Sequence, residues 1–210
     1  MIRAPERSAD RDAAIAAMLS DVPFDGWSRR SLVRGLAELG APADEADLLF
    51  PGGAVEMVEA FCDLADRRMS EAAASLDPAG QHLPARVRAV IALRLVQNRP
   101  HKEAVRRALG VLAMPGHARQ AAACTARTVD AILHAARDRS VDFSWYTKRA
   151  MLTVAYGGAL LYWLRDSSED DAATLAFLDR RLSGIARIRR LRTRADAMVQ
   201  RLAPLRRRNA

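Results

Sequence analysis

Apolar residues recur at spacings of three and four along almost the whole chain, which is the period of an amphipathic α-helix. Alanine is abundant, and there are no runs of the β-branched residues that favour strands. Glycine and proline interrupt the pattern and mark helix ends. The pattern predicts ten helices, over residues 9–20, 29–39, 43–49, 54–76, 84–98, 101–112, 118–137, 142–164, 169–182 and 184 to about 202. We therefore expect an all-α fold.

The length of 210 residues is sufficient for one domain with a substantial core. We predict a single all-α domain over 1–183. Within it, residues 9–70 form a degenerate helix-turn-helix-like part, and residues 80–183 form a helical bundle with an apolar pocket. Residues 184–210 are predicted to form a basic amphipathic helix and tail.

The positive charge is concentrated at the C-terminal end. The chain has a net charge of +8, yet residues 179–210 contain eleven arginines and only two aspartates. The rest of the chain is therefore close to neutral. A partner that is attracted by charge should meet this segment first.

The last predicted helix separates its apolar and basic residues. One face carries Ile185, Ile188, Leu191, Met198 and Leu202, and the opposite face carries Arg187, Arg190 and Arg194. Such a helix suits an anionic membrane surface, where each arginine contributes about 1 kcal/mol of binding free energy. The alternative is a terminal helix that packs on its own domain or on a dimer partner, with a solvated arginine face.

The N-terminal third has the layout of a helix-turn-helix module. The segments Phe24–Ser28 and Phe50–Gly52 resemble the N-terminus of a TetR-type regulator. Residues 22–69 contain five arginines and nine acidic residues, and the segment at the recognition position, 43–48, is acidic. Because DNA affinity depends on neutralising phosphates, we expect no nucleic-acid binding here. A TetR-like transcriptional regulator that senses a hydrophobic ligand remains the alternative function.

The segment 142–164 contains all three tyrosines and two of the three tryptophans, and from residue 150 onward it is apolar nearly all round. This composition predicts a helix that is buried on several sides. It is either a plain core helix or one wall of an apolar pocket, for which the lining candidates are Leu152, Tyr156, Leu160 and Trp163. Trp145 and Tyr146 stand at its charged start, which favours an exposed aromatic patch that binds another protein.

Motifs for catalysis and for metal or cofactor binding are missing from the sequence. Cys62 and Cys124 lie far apart, the four histidines form no HxxxH or ExxH pattern, and no glycine-rich phosphate motif occurs. We predict no enzyme activity, no catalytic residue, no metal and no cofactor. The opening residues contain no apolar secretory core, and the longest apolar run has 15 residues, so we expect a cytoplasmic location.

The string DFSWYTKRAML over 142–152, followed by Asp166–Ser168 and Phe177–Leu178, resembles a known family. This is the lipid-binding accessory family of ubiquinone biosynthesis, the ninth protein of the Coq series. The similarity runs from about Val22 to Arg181. Weaker matches lie at Gly26–Ser28, Leu39–Gly40 and Met114–Pro115.

The resemblance implies a TetR-like fold that does not bind DNA, usually as a homodimer, with a pocket for an isoprenoid ubiquinone precursor. It implies that the family presents this lipid to the demethoxyubiquinone hydroxylase, with a C-terminal helix on the membrane. The partner-binding residues map to Asp130, His134, Asp142, Trp145, Tyr146 and Arg149. No mitochondrial targeting segment is seen, which suits a bacterial protein that is peripheral on the cytoplasmic face of the inner membrane.

Overall fold

The computed structural model describes residues 5–77, 79–138 and 144–184, with side chains for all of these except residues 144 and 145. In these ranges all regular structure is helical, which confirms the expected all-α class. The helices are α1 (Ala9–Met18), α2 (Val22–Asp25), α3 (Arg29–Glu38), α4 (Glu45–Leu49), α5 (Gly53–Ala73), α6 (Leu83–Asn98), α7 (Lys102–Leu112), α8 (Ala118–Ala135), α9 (Ser144–Trp163) and α10 (172–184). Among these helices, none is both long enough and apolar enough to cross a bilayer.

Helix α5 is the centre of the fold. It contacts α1, α6, α7 and α8, so both the N-terminal helices and the bundle pack around it. Its buried residues include Met57, Val58 and Met69, which are at most 1% exposed. The division of the chain into an N-terminal part and a bundle stays a prediction, because α5 contributes to the packing of both.

Three contacts hold the N-terminal helices in place. Gly35 lets α3 approach α1 closely, since a Cβ there would lie 2.7 Å from the backbone nitrogen of Met18. Arg11 of α1 is buried and forms an ion pair with Glu56 at 2.7 Å, which ties α1 to α5. Trp27 donates an indole hydrogen bond of 3.0 Å to the carbonyl oxygen of Ala104 on α7. The N-terminal part is thereby joined to the bundle.

Contacts between residues close in the chain explain the helix ends, and one short helix, α2, was not predicted from the hydrophobic periodicity. Ser8 and Ser28 cap α1 and α3 through their hydroxyl oxygens. Helix α2 is a single turn, too short to show a hydrophobic period, and Gly26 ends it with a φ of 72°. The predicted helix over 169–182 begins instead with a short 3-10 turn, Glu169–Asp171.

Asp166 organises the start of α10. Its carboxylate accepts hydrogen bonds from the backbone and hydroxyl groups of both Ser168 and Thr174, at 2.5–2.8 Å. Burial raises the pKa of Asp166, but these hydrogen bonds outweigh burial and hold the pKa well below its usual value. Phe177 of α10 then packs on α9, where its ring lies against Gly158 and stacks on Tyr162.

Candidate functional site

The start of α9 and the end of α8 form one surface that carries four of the predicted partner-binding residues. Arg149 on α9 donates a hydrogen bond to the carboxylate of Asp130 on α8. His134 is exposed one helical turn beyond Asp130, and Tyr146 is 72% exposed one turn before Arg149. We call these four residues the α8–α9 patch. Asp142 and the side chain of Trp145 lie outside the described part of the structure.

The four predicted lipid-lining residues lie on the inner side of α9. Leu152, Tyr156 and Trp163 are at most 6% exposed, and Leu160 is partly buried against the same core. None of the four lines either of two surface cavities, one beside α5 and one at the start of α6. Their lipid-lining role stays a prediction.

A buried polar network links α9 to three other helices. Arg94 on α6 forms an ion pair with Asp66 on α5 at 2.6 Å, and donates a 2.9 Å hydrogen bond to the hydroxyl of Tyr156. Thr128 on α8 donates a 3.0 Å hydrogen bond to Asp66. Burial opposes the charge on Arg94, but its polar neighbours raise the pKa of Arg94 above its usual value, so it stays charged. Burial also raises the pKa of Tyr156.

One residue of this network could have been noticed in the sequence. Arg94 stands within an apolar run of α6, Val90 to Val96, where a charge has to find a buried partner. That the partners are Asp66 and Tyr156 depends on how the helices pack.

The two cysteines, which are 62 residues apart, come together between α5 and α8. The neighbouring Cys124 thiol and burial together raise the pKa of Cys62. Both cysteines are free. In the described residues, no group of three or more His, Cys, Asp or Glu side chains is placed to hold a metal ion.

The outer face of α9 is exposed, so the expectation that this helix is buried on several sides is wrong for the single chain. Val154 is 70% exposed, Leu161 61% and Tyr162 41%. The helix is apolar all round, but its described neighbours leave Val154 and Leu161 exposed, whereas the ring of Tyr162 stacks on Phe177 of α10 with ring centroids 5.0 Å apart.

Arginines of the acidic helix-turn-helix region form ion pairs with aspartates of the same region. Arg29 forms a bidentate interaction with Asp47 on α4, at 2.8–3.1 Å. Arg34 bonds to both Asp21 and Asp25, at 3.1 and 2.6 Å. These pairs leave little positive charge for DNA phosphates, which agrees with the charge count for this region.

A groove that the sequence did not indicate lies between α5, the end of α1 and the junction of α6 with α7. Its volume is about 390 Å³, within the range of small-molecule sites. Its residues come from three distant parts of the chain and share no periodicity, so sequence reasoning had no means of grouping them. The residues predicted to bind a membrane, from Ile185 to Leu202, lie outside the described range.

This arrangement of helices is the TetR-like fold. The structure is similar to the crystal structure of the TetR transcriptional regulator from Nitrosomonas europaea, with a TM-score of 0.68. The similarity covers 85% of this chain and 99% of that chain, at 24% sequence identity. At this identity the likeness shows the fold, and the expected TetR-like architecture is confirmed.

The sequence comparisons identify the relatives within this fold. The COQ9 family model matches residues 118–189. The chain is 31% identical over 196 residues to the mitochondrial ubiquinone biosynthesis protein COQ9 of Drosophila melanogaster, covering 91% of this chain and 60% of that protein. It is 29% identical to human COQ9 over 197 residues (89% and 62%), and 30% identical to the Schizosaccharomyces pombe protein over 167 residues (78% and 65%).

These findings confirm the family resemblance drawn from the sequence: the chain is similar to the COQ9 ubiquinone biosynthesis proteins. It spans less than two thirds of the length of these curated relatives.

Proposed function

We propose that this chain is a non-catalytic, lipid-binding accessory protein of ubiquinone biosynthesis. It binds an isoprenoid ubiquinone precursor and presents it to the demethoxyubiquinone hydroxylase at a membrane. The observation that carries the proposal is the similarity to COQ9 proteins, which extends over about nine tenths of this chain in the Drosophila and human alignments.

The physical need for such a protein follows from the substrate. An isoprenoid tail is nearly insoluble in water, because transferring each CH₂ group out of an apolar environment costs about 0.8 kcal/mol. An enzyme at the membrane surface gains from a protein that exposes the ring of the precursor while it shields the tail.

The proposed lipid site is the inner side of α9, with Leu152, Tyr156, Leu160 and Trp163 as lining residues. Because Leu152, Tyr156 and Trp163 are buried, a lipid would reach them only if α9 moves away from its neighbours. Mass spectrometry of lipids extracted from the purified protein tests the proposal, and we expect an isoprenoid quinone precursor in the wild-type extract.

A leucine of α9 and an exposed leucine of α4 provide a matched pair of variants for this test. Leu160→Trp fills space on the partly buried side of α9, whereas Leu48→Trp changes a residue that is 78% exposed on a distant helix. We expect the first variant to lose most of the lipid and the second to retain it. Persistent absence of isoprenoid from the wild-type protein would contradict the proposed function.

The α8–α9 patch, with Trp145 and Asp142, is the proposed docking surface for the hydroxylase. Tyr146→Ala should weaken the association with the hydroxylase at least tenfold, because it removes an exposed aromatic side chain of the kind that dominates binding energy at interfaces. Leu48→Ala is the matched control, since Leu48 is 78% exposed on the distant helix α4. Association would be measured by surface plasmon resonance, with melting temperature as the folding control. Equal loss in both variants, or a large drop in melting temperature for Tyr146→Ala, would refute this role.

The exposed apolar face of α9 supports the proposal of a homodimer. Val154 and Leu161 would lose water contact against a second copy of the helix. The basic amphipathic segment after Gly184 is the proposed membrane contact. In a bacterium this places the protein at the cytoplasmic face of the inner membrane.

A further inference from the structure

Helices α5 and α8 pack against each other in a defined register. Their last residues, Ala73 and Ala135, line the same surface cavity, so the two helices end at the same level and run in the same direction. Further back along both helices, Thr128 of α8 donates a 3.0 Å hydrogen bond to the carboxylate of Asp66 on α5. The residues of each pair are 62 positions apart in the chain. A residue of α5 is therefore level with the residue of α8 that follows it by 62 positions.

Cys62 and Cys124 are such a level pair, one helical turn before Asp66 and Thr128. Cys124 is 3% exposed, and Cys62 is partly buried against the core. A disulfide spans Cα separations of about 4.4–6.8 Å, which helices with axes about 8–10 Å apart offer at facing positions. Both cysteines are free in this structure. They are placed so that a bond between them needs no change in how the helices pack.

The surroundings make the two thiols unequal. Arg127 donates hydrogen bonds to the Cys124 sulfur at 3.4 Å and to the carboxylate of Glu59 at 3.1 Å. The neighbouring Cys62 thiol and the Arg127 guanidinium hold the pKa of Cys124 below its usual value, although burial opposes this. The pKa of Cys62 is raised, so Cys124 is the more nucleophilic thiol at neutral pH.

The pair lies close to the protein surface. Cys62 is partly exposed, and the side chains of Arg127 and Glu59 beside the pair are 15% and 23% exposed. A small oxidant such as hydrogen peroxide can reach the sulfur atoms from this side.

We propose that Cys62 and Cys124 are an oxidation site of the folded protein, at which a hydroperoxide converts the two thiols into a disulfide. The Cys124 thiolate attacks an oxygen of hydrogen peroxide and displaces hydroxide, which leaves Cys124 as a sulfenic acid. The Cys62 sulfur then attacks the Cys124 sulfur, and the sulfenic oxygen leaves as water with the proton of Cys62. In total the two thiols lose two protons and two electrons, and hydrogen peroxide is reduced to two molecules of water.

The disulfide would join α5, the centre of the fold, to α8. It closes a long loop of chain, which restricts the unfolded state and stabilises the folded one. Where glutathione keeps thiols reduced, a disulfide of this kind is transient and forms only under oxidising conditions. Helix α8 also carries Asp130 and His134 of the α8–α9 patch, so oxidation would hold that helix firmly on α5. The inference is independent of the proposed lipid binding.

The test treats the full-length reduced chain with hydrogen peroxide and blocks the remaining thiols with iodoacetamide. Mass spectrometry should then show the loss of two hydrogen atoms from the wild type and a peptide that links Cys62 to Cys124. The melting temperature should rise by at least about 5 °C, and dithiothreitol should reverse both changes. Cys124→Ser should show neither change. The matched control is Cys62→Ser with Ser70→Cys, which keeps two cysteines but places one of them two turns from the level of Cys124.

The order of attack has a separate readout, which is labelling of sulfenic acid by dimedone. Cys124 in the variant Cys62→Ser should be labelled at least about tenfold faster than Cys62 in Cys124→Ser. Arg127→Met should slow the labelling of Cys124 and move its pH dependence to higher pH. Arg119→Met, an exposed arginine of the same helix, should leave the labelling unchanged.

Three results would overturn the proposal. One is a wild type that keeps two free thiols in peroxide, or that forms the link only after unfolding in urea. The second is a linked protein that melts no higher than the reduced one. The third is a disulfide that forms equally well in the control with Ser70→Cys. Faster labelling of Cys62 than of Cys124 would overturn Cys124 as the attacking thiol.

Discussion

The buried ion pair between Arg94 and Asp66 gives the sharpest test of how the bundle is held together. The two side chains are 6% and 9% exposed, and their nitrogen and oxygen atoms are 2.6 Å apart. Arg94→Met keeps much of the volume but leaves Asp66 as an uncompensated buried carboxylate and removes the donor to Tyr156. Removing one partner of such a pair costs about 3–5 kcal/mol of unfolding free energy. That is a large part of the total for a domain, which is on the order of 5–15 kcal/mol.

The measurement is urea denaturation followed by circular dichroism, with a control on the same helix. Arg88 forms an ion pair with Asp179 at 2.6 Å, but both side chains are more than a third exposed. Arg88→Met should therefore cost less than about 1 kcal/mol. The double variant Arg94→Met with Asp66→Leu should recover most of the loss, because it removes both charges from the interior.

Two results would refute this reasoning. One is an unfolding free energy for Arg94→Met within about 1 kcal/mol of the wild type, since a buried unpaired carboxylate costs several times more. The other is a double variant that is less stable than Arg94→Met. That result would show that the cost arises from packing and not from the stranded charge.

Two further predictions concern the tail and acid stability. Deleting the residues after Gly184 should abolish co-flotation with anionic vesicles, because the deleted segment carries most of the excess positive charge, and should leave the melting temperature of the remaining domain unchanged. Co-flotation that persists after the deletion would contradict the membrane role. Burial raises the pKa of Asp63, but hydrogen bonds from Arg7 and Arg67 outweigh burial and lower it below 3.8. A carboxyl group whose pKa is lower in the folded state than in the unfolded state stabilises the fold at pH values above its unfolded-state pKa. This stability is lost as the pH falls through the folded-state pKa. When the pH is lowered from 6, the unfolding free energy of the wild type should therefore begin to decrease at about pH 4. The decrease should be smaller in Asp63→Asn and the same as in the wild type for the exposed control Asp44→Asn.

Helix positions were predictable because they depend on local chemistry. The period of the apolar residues, the serine caps at 8 and 28 and the glycine and proline breaks act within a few residues of one another. The exception, α2, is a single turn that is stabilised by its neighbours instead of by its own pattern. The exposed aromatic patch was also predictable in part, since Tyr146 stands in a charged segment where burial is unfavourable.

Contacts between helices could not be read from the chain in the same way. The apolar character of α9 is the same on all sides, so its sequence did not reveal that the face with Leu152 and Tyr156 is buried while the face with Val154 and Leu161 is exposed. The helical crossing geometry, with Gly35 seated against α1, is a property of the assembled bundle.

The sequence by itself determined the helical class, the placement of charge at the C-terminal end and the family to which the chain is related. Each of these can be inferred from the types of residue and from short spacings between residues in the sequence. Only the tertiary structure decided that Arg94 meets Asp66 and Tyr156, that Cys62 meets Cys124, and that a groove lies beside α5. These depend on residues that are far apart in the chain, and such residues are brought together only when packing fixes the angles and the register of whole helices.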